Sequence, residues 1–326
     1  MAGFARAWPT IAILLLAAAP AAVRADAVDL RSAAGQQAGE GAAGDDPAVA
    51  LGWSVDRTRR ITLPLEVGGS GPYDFVVDTG AERSIISQEL ARELGLSPGR
   101  RLRLSTIAGI RETDSVKVPV SDITRRSVRA IEAPTLGRAA LGAAGLIGVD
   151  LLENLAVRLD FVERVASVRR AVPARVSAAA ARDGEIVVRA KRSGGRLILT
   201  DIRVDGIRTA VVIDSGAEHS IANAAFARKL RARGGSAGFA ELQSVAGELV
   251  TTEVLRARGL EIGPVTISNL AVAALDSPVF ASLGLDDRPA LLLGIDALQL
   301  FGHVDLDFRN RRVAFAPRPN ATSPAR

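Results

Sequence analysis

The residues best suited to chemistry in this chain are two aspartates set in matching surroundings. Phe75-Val76-Val77-Asp78-Thr79-Gly80-Ala81-Glu82-Arg83-Ser84-Ile85-Ile86 returns as Val211-Val212-Ile213-Asp214-Ser215-Gly216-Ala217-Glu218-His219-Ser220-Ile221, 136 residues further on. In each copy an apolar, β-branched run ends on Asp, and a hydroxyl residue, a Gly and an Ala follow before the apolar residues resume. The pattern predicts a buried strand that delivers a carboxylate into a tight turn. Glycine gives the turn its freedom, and the hydroxyl bonds locally to tie it down. No Lys or Arg stands within three positions before either Asp to neutralise it.

A single copy would signify only a strand-end turn. Two copies allow a carboxylate pair, and a pair has its own chemistry. Two ionised carboxylates about 3 Å apart repel by about 5 kcal/mol at an effective dielectric near 20, or roughly four pK units. Such a pair is expected to share one proton. One member then takes a proton from water while the other gives one to an amide carbonyl.

The elements needed to position the pair also recur. Ile61 to Val67 alternates apolar and polar residues, Gly68 to Pro72 turns, and Tyr73 to Val77 leads into Asp78. The second half repeats this as Leu197 to Val204, a turn at Asp205-Gly206, and Ile207 to Ile213, and Asp-Gly is a strong hairpin signal. After each aspartate one short helix is expected: Gln88 to Leu94 capped by Ser87, and Ala224 to Arg233 capped by Asn223. Gly95 and Gly234 would end them. A strand pair with a small-residue tip follows in each half, at Ala108-Gly109 and Ala246-Gly247. Leu146-Ile147-Gly148-Val149-Asp150 is matched by Leu292-Leu293-Gly294-Ile295-Asp296, and Val157 to Phe161 by Val304 to Phe308. Two copies of one unit make a duplicated domain, not a solenoid, which needs shorter and more numerous repeats.

Outside the duplication, residues 1–25 read as a secretory signal, with Arg6 in a basic start, an apolar Thr10 to Ala19 and a small-residue cleavage site at Val23-Arg24-Ala25. The apolar stretch is too short for an ordinary membrane span. An uncleaved anchor is the alternative. Residues 26–50 are expected to form a flexible leader, 51–172 one lobe, 173–184 an Ala/Arg-rich linker, 185–317 the second lobe and 318–326 a disordered tail. The expected location is the periplasm or the exterior.

The chain has 326 residues and no cysteine, so an exported form must hold its fold by core burial, without disulfides. With 48% hydrophobic residues it is not mainly disordered. A net charge of +5 comes from scattered arginines with few aromatics between them, a weak basis for nucleic-acid or anionic-lipid binding. Only two histidines occur, which leaves no credible Ser/His/Asp triad, and no phosphate-binding glycine loop is present. Asp160, Asp305 and Asp307 alternate along strands without the ligand spacing of a calcium loop, so no metal or other cofactor is expected. His303 reads as a strand-end residue, and Asp150 and Asp296 as helix caps.

Taken together, the Asp-Thr/Ser-Gly-Ala turns, the glycine-bearing hairpins and the late apolar-apolar-Gly elements resemble the retropepsin-like aspartic peptidases, over roughly Ile61 to Phe315. Retroviral members build one site from two identical chains; this sequence resembles a single-chain tandem of that unit. The resemblance implies an all-β fold of two homologous acid-protease-like lobes, each of closed β-barrel type with one short helix, and a cleft between them. It implies that Asp78 and Asp214 are the catalytic pair, sharing a proton as aspartic proteases do. Thr79 and Ser215 would brace the turns, Gly80 and Gly216 would present backbone to substrate, and Ala81 and Ala217 would complete the turns. Glu82 and Glu218 would lie near bound peptide, with Arg83 and His219 beside them, though a lone His is more often structural. The tips at Gly109 and Gly247 would be flaps, and Gly148 and Gly294 would pack beneath the active-site loops.

Two features depart from the family. Val149 and Ile295 stand where many retroviral members have Arg, and the flaps lack the Tyr of pepsin-like lobes. Because Ala81 and Ala217 carry no hydroxyl, the pair should protonate more easily, extending activity towards neutral pH. The expected activity is that of an aspartic endopeptidase, acting as a monomer on a peptide or protein substrate. The rivals are an inactive peptide-binding protein with the same cleft and a basic surface-binding protein.

Overall fold

Each half is built on a hairpin that leads into its aspartate. Ile61–Val67 pairs antiparallel with Ser70–Val77, and Arg196–Val204 with Ile207–Ile213. The second hairpin turns through Asp205 and Gly206 with φ of 51° and 73°, both left-handed, as the Asp-Gly pair predicts. The computed structural model describes residues 60–121, 123, 128–173 and 185–318. It also gives the backbone of the short strands Thr10–Ala12, Leu16–Ala18, Ala27–Leu30, Val49–Gly52 and Ser54–Val55. The expected signal, leader, linker and tail lie outside the described residues, those strands and the edge residues 173 and 318 apart.

In both halves the sheet curls until it meets itself. In the first, Ser115–Ser121, Val128–Leu136, Ile85–Ser87, Gly145–Ile147, Ser70–Val77 and Ile61–Val67 follow in order, and Val120 opposite Val67 closes the ring. In the second, Leu249–Ile262, Val265–Ala274, Ile221–Ala222, Ala290–Leu293, Ile207–Ile213 and Arg196–Val204 do the same, closed by Val204 opposite Leu260. The fold is thus all-β and two-lobed, with barrel-type lobes. Closure leaves few open strand edges.

The lobes are joined by a sheet built from their duplicate strands. Leu155–Asp160 pairs antiparallel with His303–Asp307, placing Val157 opposite Leu306, and Val165–Arg170 and Arg312–Ala316 flank them. One apolar core runs from Val67, Leu152 and Leu159 in the first half to Phe301, Phe308 and Phe315 in the second. On this sheet Arg158 forks onto Asp305, with Nε and an Nη nitrogen 2.8 and 2.6 Å from the two carboxylate oxygens. His303 Nε2 lies 3.0 Å from Glu185 Oε1.

The expectation of one helix per lobe is corrected to three among the described residues. Gln88–Glu93 and Ala224–Arg231 are capped by Ser87 and Asn223, whose side chains accept from the Leu90 and Phe226 N–H groups. Both are shorter than expected, the first by one residue and the second by two. Arg138–Leu141, Val149–Leu152, Pro278–Ser282 and Ile295–Leu298 are single turns, too short to carry a helical period in sequence.

Asp150 and Asp296 are corrected as well, because Gly148 and Gly294 occupy the cap positions. The carboxylates reach back instead to the active-site loops. Asp150 Oδ1 accepts from Ser84 N and Ser84 Oγ at 2.9 and 2.7 Å, and Asp296 accepts from Ser220 N and Oγ at 3.0 and 2.8 Å. Burial raises both above the usual carboxylate range, while these bonds oppose the shift.

Candidate active site

Each aspartate is delivered by a strand held on both sides. Gly145–Ile147 lies parallel to Ser70–Val77, and the Asp78 N–H donates to Ile147 O at 2.9 Å. Ala290–Leu293 lies parallel to Ile207–Ile213, and the Asp214 N–H donates to Leu293 O at 3.0 Å. Val76, Val77, Val212 and Ile213 are wholly buried, so both carboxylates arrive at the inner ends of apolar strands.

The turns meet across the lobes. Thr79 Oγ1 donates to Ile213 O at 2.8 Å and accepts from Ser215 N at 3.0 Å. In return Ser215 Oγ donates to Val77 O at 2.8 Å and accepts from Thr79 N at 3.3 Å. Four hydrogen bonds therefore cross between the turns.

The glycines explain how close the carboxylates come. A Cβ at Gly80 would lie 2.3 Å from Asp214 Oδ2, and one at Gly216 would lie 2.2 Å from Asp78 Cγ. Real Cβ atoms do not approach so closely, so each lobe's glycine makes room for the other lobe's aspartate. The two carboxyl groups are close enough to bear on each other's protonation.

Both are fully buried, yet they are held differently. Asp78 Oδ1 accepts the Gly80 N–H at 2.8 Å, whereas Asp214 Oδ1 accepts both Gly216 N–H at 3.0 Å and Ala217 N–H at 3.1 Å. The outer oxygens, Asp78 Oδ2 and Asp214 Oδ2, have no protein donor among the described residues. Burial raises both groups, and the charge of Asp214 raises Asp78 further. Asp214 is pushed up to about 7 and Asp78 well above its ordinary value. The additional N–H on Asp214 favours its charged form.

The tips at Gly109 and Gly247 sit at hairpin turns with φ of 145° and 93°. The first flap is Leu102–Thr106 with Gly109–Thr113; the second is longer, Ser236–Ser244 with Leu249–Ile262. Each tip crosses to the opposite lobe. Ile107 joins the apolar cluster of Val212, Ala217, Phe280 and Leu292, while Val245 joins that of Val76, Ala81, Leu104 and Leu146. Arg111 and Glu248 link the flaps by an ion pair at 2.9 Å.

Of the remaining expected residues, Glu82 and Arg83 line a polar cavity of about 440 Å³ together with Arg129, Glu132 and Arg192. His219 is 38% exposed, 3.8 Å from Glu218 and 4.0 Å from Asp296. Gly148 and Gly294 do underlie the loops: a Cβ there would be 2.5 Å from Arg83 C and 2.7 Å from His219 C.

Sequence reasoning missed two arginines. Arg60 and Arg196, at the same duplication offset, are 2% and 1% exposed. Arg196 Nε donates to Gly80 O at 2.6 Å across the lobes, and Arg60 Nη2 donates to Leu141 O at 2.6 Å. The duplication itself was the available signal, since an Arg stands at the start of the first hairpin in each copy.

Residues 63–154 match the family model of gag-polyprotein aspartyl proteases, and residues 200–297 match a family model described as aspartyl protease. No curated protein matches the chain. Among solved structures, the aspartic proteinase from Irpex lacteus is 14% identical, covering 86% of this chain and 100% of that one at a TM-score of 0.47. Basic 7S globulin from soybean is 12% identical, covering 82% and 94% at a TM-score of 0.43.

Proposed function

Because this chain belongs to the retropepsin-like aspartic peptidases, each half matching an aspartyl protease model, we propose that it is an endopeptidase using Asp78 and Asp214 on a single water. The supporting observation is the pair of buried outer oxygens, each set against the other lobe's glycine and supplied with no protein donor among the described residues. Two such groups cannot both ionise cheaply, so the pair carries one proton. Asp214, with two N–H donors on its inner oxygen, is the better anion, and Asp78 the better acid.

Hydrolysis then follows with its protons balanced. The Asp214 carboxylate takes a proton from water as the water oxygen bonds to the peptide carbonyl carbon. Asp78 gives its proton to the carbonyl oxygen, which forms a neutral diol. When the C–N bond breaks, the nitrogen leaves with a proton returned from Asp214, and a diol hydroxyl re-protonates Asp78 as the acid product forms. The crossed flaps would exclude water around this exchange.

On the raised values the pair is singly protonated from about neutral pH upward, the direction in which the absence of a hydroxyl at Ala81 and Ala217 also acts. An exported location, lobes at 51–172 and 185–317 and a monomeric state belong to the same proposal. The test is digestion of a mixed peptide library by the parent, Asp78→Asn and Asp214→Asn. Cleavage that both variants retain at the parental rate contradicts the assignment. A parent that binds peptides without cutting them supports a binding protein instead.

A further inference from the structure

The polar cavity beside Glu82 and Arg83 is separate from the cleft, since neither aspartate, no turn glycine and no flap tip lines it. It is bordered by the short helix Val149–Leu152 and, from the second lobe, by Gly194 and Gly195 at the turn between Ile186–Ser193 and Arg196–Val204. The remaining border is a strand met edge-on. Arg129, Ala130, Ile131 and Glu132 all line the space. Successive side chains of a strand point to opposite faces, so four consecutive residues can border one cavity only along the strand's edge.

That edge is open. Val128–Leu136 pairs with Ser115–Ser121 along one side, while on the other only Thr135 and Leu136 are paired, with Ile86 and Ser87, among the described residues. The register tells which backbone groups are left over. Thr135 N–H donates to Asp114 O, so the odd-numbered residues bond towards Ser115–Ser121, and Ala130 and Glu132 turn their N–H and C=O outward. In keeping with this, the residue opposite Ala130 is Pro119, which has no N–H and whose carbonyl accepts from Gly68 instead. An open edge of this kind accepts an extended peptide as an added strand.

The charged groups around the cavity leave cations in surplus. Glu132 accepts from Arg100 Nη2 at 2.7 Å and Ser115 Oγ at 3.1 Å, and Asp150 accepts from Ser84. Glu82 and the Arg196 guanidinium flank Gly194 together, for a Cβ there would lie 3.8 Å from Glu82 Oε2 and 2.8 Å from Arg196 Nη1. Glu153 is then the acid left to face Arg83, Arg129 and Arg192. Arg129 Nη2 donates to Asp150 O at 2.7 Å, which fixes one end of its guanidinium. Arg83 and Arg192 have no side-chain partner among the described residues. Guanidinium groups hold carboxylates by two parallel bonds, so the missing partner is acidic.

We propose that this cavity is a docking site, apart from the cleft, for an acidic stretch of polypeptide. The stretch adds a strand along residues 129–132 and gives a carboxylate to Arg83 and Arg192. On the endopeptidase reading it belongs to the substrate, outside the bond being cut; the binding itself does not depend on that reading.

The test is fluorescence anisotropy with the full chain and two labelled peptides, one alternating Val and Glu and one alternating Val and Gln, each checked for integrity by mass spectrometry. The parent should bind the Glu peptide on the order of tenfold more tightly, by a margin that shrinks at high salt. Arg192→Gln should lose most of that preference. Ala130→Pro removes an outward N–H and no ladder bond, so it should weaken both peptides alike, on the order of tenfold. Equal affinity of the parent for the two peptides overturns the proposal, as does a preference that Arg192→Gln keeps in full. Displacement of the Glu peptide by free succinate, together with parental binding by Ala130→Pro, marks a small-dicarboxylate site and overturns the added strand. Should Ala130→Pro not fold, hydrogen exchange in the parent decides: the Glu peptide protects the Ala130 and Glu132 amides if the strand adds, and unchanged exchange overturns it. A parent that cuts nothing sinks the endopeptidase reading alone, because these measurements need no cleavage.

Discussion

The two aspartate turns are near copies in sequence and unequal in surroundings. Asp78 receives one backbone N–H and lies in the fields of Arg60 and Arg196, while Asp214 receives two N–H groups. The flaps differ likewise, the second being longer and carrying exposed Phe239 and Leu249 where the first carries exposed Ile110. The lesson is that duplication supplies two equivalent carboxylates, and small departures from symmetry then assign them different work. A proton shared by identical partners has no preferred side; one additional N–H gives it one.

Removing a carboxylate should break the comparison most severely. Asp78→Asn and Asp214→Asn are each expected to lower kcat/KM on the order of a thousandfold or more, measured by peptide cleavage. Next in size is the room each glycine makes. Gly80→Ala and Gly216→Ala place a methyl 2.3 and 2.2 Å from the opposite carboxyl group, so the pair must part. A loss of about a hundredfold in kcat is expected from each, since displacements near 1 Å cost that much.

The bracing between turns comes third. Thr79→Val and Ser215→Ala each remove a hydroxyl that both donates and accepts in a buried setting, and urea unfolding should show a loss of about 1–3 kcal/mol. Acidity offers a fourth comparison. Both aspartates have folded values raised above the unfolded one, so their contribution to stability is fully present below about pH 4 and is lost as pH rises through the folded values, about 7 for Asp214. Asp78→Asn removes a raised acid, and its melting temperature should match the parent near pH 4 and exceed it by pH 8. The smallest effect belongs to the flap ion pair. Arg111 and Glu248 are 44% and 42% exposed, so Arg111→Gln should cost about 0.2–1 kcal/mol, less at high salt.

Much of this arrangement was legible in the chain. Strand hairpins, the Asp turns and the glycines behind them follow from apolar alternation punctuated by Gly, and the repeat fixed which residues correspond. What escaped depended on contacts between copies. The four-residue helices have no period to read, and the role of Asp150 and Asp296 required knowing that Ser84 and Ser220 fold back onto them. The pairing of Leu155–Asp160 with His303–Asp307 and the crossing of Ile107 and Val245 join segments far apart in sequence. Arg196 went unread because its partner, Gly80, lies in the other half.

The most direct test is carboxyl ¹³C NMR of the aspartate-labelled protein near pH 8, assigned with the two Asn variants. The account predicts one protonated and one ionised group in the dyad, the anion at Asp214, with the Asp78 titration displaced to lower pH when Asp214 is replaced. Two fully ionised aspartates at that pH, each titrating near 4 and unaffected by the other's removal, would contradict it.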